Sequence, residues 1–248
     1  MTVMEGYGMT ETSAVISIRS LKRQTPGTVG HPLPGSQIKL KNNEGLDIKT
    51  QPGEKGTLWV KSDQILLGYY KRPELNSVVF DNEGFFDTGD LMLLSPRGEL
   101  MFAGRAKDTI ALAGGENVEP VPVEDRLLVS PYIDQVMVVG DDRKTLGALI
   151  VPHFERVEQK LKSDAPETKI PPRENWNEHP PVRALFRTEI LRLINQSSGF
   201  KNFEIIPGNC FYVVPRNFDP DLEMTRTLKM KRPVIKDAFA AQIQAMYR

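Results

Sequence analysis

Short alternations of apolar and polar residues dominate the N-terminal part of the chain. In residues 36–41, Ile38 and Leu40 alternate with polar side chains, which is the period-2 pattern of a half-buried strand. Residues 56–61 and 98–102 have the same character, and turns rich in glycine and proline separate these runs. Several short strands between tight turns predict a small antiparallel barrel or sandwich.

After Gly104 the pattern mixes strands with helices. Residues 108–113 predict a strand, and a helix is predicted near residues 121–129. Pro120 and Pro122 fit the start of that helix because proline lacks only an N–H group that is unpaired there. Strands and helices in this order predict a compact α+β domain.

Two further strands are predicted at residues 135–139 and 146–151, joined by the charged turn 141–144. Apolar residues then recur at helical spacing until a helix end near Gly199, and a strand is predicted at residues 209–214. The apolar residues of that helix are Val182, Leu185, Phe186, Ile190, Leu193 and Ile194.

A last helix is predicted to begin at Pro233. Its apolar face carries Ile235, Phe239, Ile243 and Met246. Residues 163–181 contain several prolines and charged residues, which predicts an exposed insertion. We place the domain boundary at the polar junction of residues 104–108.

The composition narrows the class of protein. The 248 residues include 32 Lys and Arg and 32 Asp and Glu, so the net charge of zero gives no electrostatic argument for a nucleic-acid partner. The apolar runs are too short to cross a bilayer, and the first residues do not resemble a secretory signal. The single cysteine, Cys210, excludes an intramolecular disulfide. These features predict a cytoplasmic protein with at most peripheral contact with the inner face of a membrane.

Residues 6–11, GYGMTE, are the first candidate binding segment. Glycine lets the backbone approach a ligand closely, an aromatic ring can stack on a base, a hydroxyl can bond phosphate, and a carboxylate can hold Mg²⁺. Taken alone, the segment is more typical of a turn with a helix cap at Thr10 and Glu11 than of a binding loop.

Residues 85–90 and 104–108 are a second candidate pair of segments. The Asp90 carboxylate can accept both hydroxyls of a ribose, and Arg105 can support it; the alternative is a surface turn with a solvent-facing ion pair. Residues 114–117 are either a loop or a narrow passage for a slender ligand. The basic run of residues 224–232 is typical of a solvated face or a membrane-surface patch.

Other chemistries have less support. The three histidines, His31, His153 and His179, are scattered and have no zinc-site spacing with Cys210. Residues 6–8 lack the third glycine of a dinucleotide fingerprint, and the chain has no Gly-x-Ser-x-Gly nucleophile turn.

The order of the candidate segments resembles the adenylate-forming (AMP-binding) superfamily, which includes acyl-CoA synthetases, firefly-type luciferases and the adenylation domains of peptide synthetases. Residues 6–11 resemble its YGxTE motif, and residues 87–90 its TGD motif. Residues 104–124 resemble its GRxKD…GGxNVxPxxxE segment, and residues 225–229 the terminal motif that supplies a catalytic lysine. Each motif alone is weak, but four in the family order are strongly specific.

The resemblance implies a reaction in two halves that uses ATP, Mg²⁺ and coenzyme A. A carboxylate attacks the α-phosphate of ATP, giving acyl-adenylate and pyrophosphate, and the CoA thiol then attacks the acyl carbon and expels AMP. The implied catalytic residues are Lys229, which bridges the carboxylate and the α-phosphate, Thr10, which bonds phosphate, and Glu11, which holds the metal.

The resemblance also implies binding residues and a moving domain. Tyr7 and Gly8 lie against adenine, and Asp90 holds the ribose with the help of Arg105. The hinge residue falls on Lys107. The passage for the pantetheine arm of CoA is made by Gly114, Gly115 and Glu116.

Within the superfamily, the insertion at residues 163–181 and the sequence TRTLKMKRPVI are similar to long-chain fatty acid–CoA ligases. Relatives in other branches mostly carry Ser/Ala-Gly-Lys in the last motif, and Arg226 stands where relatives often have proline. The fold class expected is α/β (α+β), with residues 1–104 as the end of the large AMP-binding domain, including its small β-barrel subdomain. Residues 105–248 are expected to form the small mobile C-terminal domain.

The family loop that grips the β- and γ-phosphates has no counterpart in this sequence, so we expect the chain to be a partial piece with negligible activity by itself. Two alternatives stay open. One keeps the fold but uses an acyl carrier protein as acceptor or an aryl acid as substrate. The other is a non-catalytic piece that binds nucleotide or a partner. The small-molecule partners of the leading interpretation are ATP, a long-chain fatty acid and CoA.

Overall fold

Two compact units make up the chain, Met1–Lys107 and Asp108–Arg248. The structure is a computed structural model, and it describes residues 3–22, 25–42, 44–48, 51–167 and 169–248. The division falls inside the polar junction of residues 104–108. The assignment of the two units to functional domains stays a prediction.

The described residues of unit 1 form two antiparallel sheets and one α-helix. The smaller sheet has the order β1-β2-β3 and the larger has the order β5-β4-β6-β7-β8. The strands of the smaller sheet are β1 (Gly6–Tyr7), β2 (Ser17–Ile18) and β3 (His31–Pro32). The larger sheet and the helix are formed by β4 (Gln37–Lys41), β5 (Asp47–Ile48), β6 (Lys55–Lys61), α1 (Pro73–Val79), β7 (Phe86–Leu94) and β8 (Leu100–Arg105).

The core of unit 1 follows from the alternation seen in the sequence. In β6 every second residue is buried, and Leu58 lies opposite Leu40 of β4. Leu40, Leu58 and Met92 are fully buried in one apolar cluster. Residues 36–41 and 56–61 therefore form strands as predicted, whereas the strand predicted at residues 98–102 begins later and runs to Arg105.

Unit 2 is a three-stranded sheet covered by helices, preceded by a small hairpin. The hairpin consists of β9 (Ile110–Ala111) and β10 (Asn117–Val118). The sheet has the order β11-β12-β13, with β11 (Ile133–Val139) antiparallel to β12 (Gly147–Pro152) and β12 parallel to β13 (Phe211–Val213). The helices are α2 (Pro120–Leu127), α3 (Phe154–Asp164), α4 (Pro180–Leu193), α5 (Arg232–Ala238) and α6 (Ala240–Met246).

The sheet of unit 2 has an apolar cluster on each face. Alternate residues of β11 and β12 point to opposite faces, so Val138 and Ile150 pack with residues of α2, α3 and α4. Met137 and Leu149 pack on the other face with residues of α5 and α6. A sheet covered by helices on both faces agrees with the mixed α/β class that the sequence predicts.

Three details differ from the sequence predictions. The last helix is two short helices with a break at Phe239, although Phe239 and Ile235 are both buried as predicted. Helix α4 ends at Leu193, and a 3-10 turn at Gln196–Ser198 precedes Gly199. Helix α3 lies in a stretch for which the sequence predicted no element.

The insertion at residues 163–181 is not simply exposed, which corrects the sequence prediction. Trp176 is 1% exposed, and its Nε1–H donates to the carbonyl of Pro171 at 3.1 Å. Its ring lies 5.7 Å from that of Phe154, at the start of α3. The proline-rich composition concealed this because one large aromatic residue in a polar segment creates no periodicity. The insertion therefore contributes to the core of unit 2.

Among the described helices, none combines the length and the apolar character needed to cross a bilayer.

Candidate functional site

A buried carboxylate lies at the centre of the candidate site in unit 1. Asp90 is 4% exposed and stands opposite Arg105 in the antiparallel pair of β7 and β8. The Tyr7 hydroxyl donates to Oδ2 of Asp90 at 2.6 Å, and Nε of Arg105 lies 3.2 Å from Oδ1. Sheet register pairs Asp90 with Arg105, and Tyr7 joins them from the smaller sheet, so three residues that the sequence analysis had assigned to nucleotide binding come together.

The electrostatics of this cluster keep Tyr7 neutral. Burial, followed by the charge of the Asp90 carboxylate, raises the pKa of the Tyr7 hydroxyl far above its usual value. Tyr7 is therefore a hydrogen-bond donor throughout the physiological pH range. Each carboxylate oxygen of Asp90 has more than one acceptor site, so Asp90 retains capacity for further donors such as ribose hydroxyls.

The segment that carries Asp90 is a strand interior, which excludes the surface-turn interpretation of residues 85–90. The Asp90 N–H donates to the Thr88 hydroxyl at 3.2 Å, and that hydroxyl donates to the carbonyl of Leu58 at 2.8 Å. Asp87 accepts the N–H of Gly89 at 2.8 Å. These local bonds hold the backbone around Asp90 in one conformation.

The loop after β1 turns very tightly. A Cβ atom at Gly8 would lie 1.8 Å from the carbonyl oxygen of Ala14, so any side chain at this position displaces the backbone. Thr10–Thr12 forms a single 3-10 turn in which Thr10 is exposed and Glu11 is half-buried. The turn presents the Thr10 hydroxyl to solvent.

Glu11 has a partner that sequence reasoning missed. The Tyr69 hydroxyl donates to Oε1 of Glu11 at 2.9 Å, and the N–H of Leu66 donates to the Glu11 carbonyl at 2.8 Å. Burial and then the Glu11 carboxylate raise the pKa of Tyr69. No spacing signal connects residues 58 positions apart, so only the fold could reveal this pair.

The surroundings of Glu11 are compatible with a magnesium ion that takes most of its ligands from a bound substrate. Among the residues that the structure describes, no three His, Cys, Asp or Glu side chains converge in a metal cage. Mg²⁺ commonly takes one or two protein carboxylates and completes its shell with phosphate oxygens and water. The single carboxylate of Glu11 fits that mode of binding.

In unit 2, Gly114, Gly115 and Glu116 form the exposed turn of the β9–β10 hairpin. The Gly115 N–H donates to the carbonyl of Leu112 at 2.9 Å, and Gly115 has φ +91°, a conformation that other residues rarely adopt. The turn therefore presents bare backbone to solvent. Lys107 is exposed in the 3-10 turn Ala106–Asp108, at the division between the units.

Lys229 lies in the exposed end of a short hairpin. Its N–H donates to the Thr225 hydroxyl at 3.0 Å, and its carbonyl accepts the N–H of Thr225 at 2.7 Å. Leu228 has φ +57°, where the Ser/Ala-Gly-Lys form of the motif would place glycine.

The basic run that contains Lys229 is not a uniform solvated face. Arg232 is buried, and Nζ of Lys231 donates to the carbonyls of Asp221 and Leu222 at 3.3 and 3.2 Å. Two of the cations of the run therefore bind within unit 2, which leaves less charge for a membrane surface.

The fold and the order of these motifs are those of the adenylate-forming superfamily. Residues 1–70 match the AMP-binding enzyme family and residues 107–248 match the AMP-binding enzyme C-terminal domain, so the chain belongs to this family. The resemblance and the fold class stated from the sequence are thereby confirmed.

Curated relatives in this family are acyl-activating enzymes. The probable acyl-activating enzyme 16, chloroplastic, of Arabidopsis thaliana is 33% identical over 100% of this chain and 34% of its own length. A long-chain-fatty-acid–[acyl-carrier-protein] ligase of the same plant is 32% identical over 99% of the chain and 32% of its length. A long-chain-fatty-acid–CoA ligase of Mycobacterium tuberculosis is 31% identical over 100% of the chain and 38% of its length. The chain thus spans about a third of the length of these relatives.

Solved structures show the same architecture. The adenylation domain of a carboxylate reductase from Mycobacterium chelonae superposes with a TM-score of 0.77 at 26% identity, over 98% of this chain and 34% of that one. The O-succinylbenzoate CoA synthetase of Bacillus subtilis in complex with ATP and magnesium ion gives 0.67 at 26% identity, over 94% and 41%. The family therefore binds ATP with Mg²⁺. The individual roles assigned to residues of this chain stay predictions.

Proposed function

We propose that the protein containing this chain activates a long-chain fatty acid with ATP and transfers the acyl group to coenzyme A. The observation that carries the proposal is the cluster around the buried Asp90 carboxylate, because Tyr7 and Arg105, which belong to two other motifs, converge on it. Relatives that act on long-chain fatty acids support the choice of acid. We place the protein in the cytoplasm.

The first half-reaction requires charge neutralisation more than proton transfer. A fatty carboxylate is already ionised near neutral pH, so no general base is needed. Its oxygen forms a bond to the α-phosphorus while the bond to pyrophosphate breaks. In the proposal the Lys229 ammonium lies between the two anions and offsets their repulsion.

The remaining roles in adenylation concern ATP. Thr10 donates to a phosphate oxygen, and Glu11 holds Mg²⁺, which supplies positive charge at the phosphates when bound. Tyr7 and Gly8 lie beside adenine, while Asp90 accepts the ribose hydroxyls and Arg105 supports that carboxylate.

The second half-reaction transfers the acyl group to a thiol. The sulfur bonds to the acyl carbon, the bond to AMP breaks, and the thiol proton passes to solvent. In the proposal a rotation about Lys107 withdraws Lys229 and brings Gly114, Gly115 and Glu116 to the thiol arm. An acyl carrier protein is the second candidate for the acceptor, because one of the relatives is a long-chain-fatty-acid–[acyl-carrier-protein] ligase.

The acceptor is tested with the complete gene product that carries residues 1–248. Palmitoyl-adenylate is supplied with either CoA or the phosphopantetheine form of an acyl carrier protein, and thioester formation is measured. We expect a higher kcat/KM with CoA. A higher kcat/KM with the carrier protein would transfer the proposal to the second candidate, and turnover with neither thiol would refute it.

Asp90→Asn is expected to weaken AMP binding roughly 10- to 100-fold, because hydrogen bonds to a charged acceptor are worth about 1.5–3 kcal/mol. Titration calorimetry of the complete gene product measures the effect. Asp87→Asn is the matched control, since Asp87 lies in the same strand and accepts the Gly89 N–H instead. Equal AMP affinity for wild type and Asp90→Asn would exclude the ribose role.

Lys107→Pro is expected to spare adenylation and to lower acyl transfer by about tenfold or more, since proline removes backbone freedom at the proposed hinge. ATP–pyrophosphate exchange reports the first half-reaction, and transfer from supplied palmitoyl-adenylate reports the second. Lys107→Ala removes the same side chain but keeps the freedom of the backbone, and it should retain both activities. Equal losses in the two half-reactions of Lys107→Pro would contradict the hinge role.

A further inference from the structure

The hairpin that carries Lys229 is closed by backbone bonds on both sides of the lysine. The Lys231 N–H donates to the carbonyl of Glu223 at 2.8 Å, and Met224 forms a bridge with Met230. Residues 226–229 are exposed, while Glu223 and Met224 are buried. Because the lysine itself is solvent-exposed, its position depends on how firmly the two arms are held.

The first arm is held by a bidentate ion pair. Nη1 and Nη2 of Arg216 bind the two carboxylate oxygens of Glu223 at 2.7 and 2.8 Å, and the N–H of Asp219 donates to the same carboxylate at 2.6 Å. Glu223 is 3% exposed, and the bonds from Arg216 lower the pKa of its carboxyl group. A bidentate pair fixes direction as well as distance.

The second arm is held by a buried pair that joins three elements. Nη1 of Arg232 donates to Oε1 of Glu124 at 2.7 Å, and Nη2 donates to the carbonyl of Val138 at 2.6 Å. Oε1 of Glu124 also accepts the N–H of Val138 at 2.7 Å. The arm at α5 is thereby bonded to both α2 and β11.

The backbone between the arms is strained. Leu228 has φ +57°, a left-handed conformation that is unfavourable for a residue with a side chain. Such a conformation persists only where the surrounding structure imposes it, and it is common at functional sites. The backbone bonds of the hairpin fix its local shape, and the two ion pairs fix its arms to the rest of unit 2.

We propose that Arg216, Glu223, Arg232 and Glu124 are positioning residues, which hold the Lys229 hairpin in the geometry that acyl-adenylate formation requires. The inference rests on the proposed function, since it acts through Lys229. Neither pair needs to touch substrate. Displacing a catalytic group by about 1 Å can lower a rate roughly 100-fold, so anchors at the base of the hairpin affect chemistry at its tip.

Two sets of variants test the inference in the complete gene product. Glu223→Gln weakens the first anchor. The paired substitution Glu124→Gln with Arg232→Met removes the second anchor without leaving a buried charge unpaired. The glutamine still offers an oxygen that accepts the Val138 N–H. Arg216→Lys keeps the charge of the first pair but loses its bidentate geometry.

We expect Glu223→Gln and the paired substitution to lower kcat of ATP–pyrophosphate exchange roughly 10- to 100-fold, with Arg216→Lys affected less. Acyl transfer from supplied palmitoyl-adenylate should be unchanged, because Lys229 acts only in the first half-reaction. In a Lys229→Ala background the same substitutions should cause no further loss of exchange, since positioning acts only through Lys229.

A structural readout accompanies the kinetics. In the complete gene product, heteronuclear NOE values at residues 226–229 should fall in the anchor variants, which reports fast motion of the hairpin end.

The outcomes separate this inference from the proposed function. Equal losses in both half-reactions, a further loss in the Lys229→Ala background, or unchanged exchange and unchanged NOE values would overturn the positioning role. Wild-type protein without exchange would refute the proposed function, and the NOE values would then show whether the ion pairs hold the hairpin. Lys229→Ala with wild-type exchange would leave acid activation intact but refute the catalytic role of Lys229, and with it the positioning role.

Discussion

Lys229→Ala is expected to lower the rate of acyl-adenylate formation roughly 100- to 1000-fold, the loss that follows when one charge-stabilising group is removed from a phosphoryl transition state. The lysine is exposed at the end of its hairpin, so its removal leaves no cavity and no unpaired buried group. ATP–pyrophosphate exchange with palmitate, measured on the complete gene product, gives the rate. Thermal unfolding should be unchanged.

Arg226→Ala is the matched control for Lys229→Ala. Arg226 is exposed in the same hairpin and carries the same charge, so a general effect of net charge would appear in both variants. We expect exchange to be close to wild type in Arg226→Ala. Transfer from supplied palmitoyl-adenylate should survive in both variants. Similar losses of exchange in the two variants would mean that the hairpin acts by its overall charge and that Lys229 has no special role.

Arg232→Leu is expected to reduce the free energy of unfolding of unit 2 by about 3–5 kcal/mol, because it leaves the Glu124 carboxylate buried without its cation. Both partners are largely buried, with side-chain exposures of 8% for Arg232 and 6% for Glu124. The carbonyl of Val138 loses a donor as well. Urea denaturation measures the change.

The two tryptophans allow the units to be followed separately. Trp59 lies in unit 1 and Trp176 in unit 2, so a Trp59→Phe background makes fluorescence a reporter of unit 2 alone. Lys160→Met is the control, since Lys160 pairs with Asp164 at the surface and should contribute little. An unfolding midpoint for Arg232→Leu equal to that of the control would show that the buried pair contributes nothing to stability.

The paired substitution, Glu124→Gln with Arg232→Met, should lose much less stability than Arg232→Leu, because it leaves no buried charge unpaired. The paired substitution should therefore be more stable than Arg232→Leu, although it removes more of the native interaction. That order of stabilities would show that the cost lies in the unpaired charge. It would also confirm that the paired substitution is a folded variant, as the positioning experiment requires.

The sequence predicted those elements whose formation depends on neighbouring residues. Alternation at residues 36–41 and the apolar runs near residues 135–139 and 146–151 correspond to β4, β11 and β12. Pro120 and Pro122 correctly marked the start of α2. Periodicity failed for the final helix because the same spacing of apolar residues fits two short helices broken at Phe239.

What the sequence determined by itself is the family, through four motifs in a specific order, together with the local elements that carry them. Tertiary structure alone decided which side chains meet. The Tyr7–Asp90 bond spans 83 residues and the Glu124–Arg232 pair spans 108. Contacts at such separations depend on sheet register and on the burial of whole elements, which no local pattern encodes. The same reason explains why Trp176 and Tyr69 gained significance only in the folded chain.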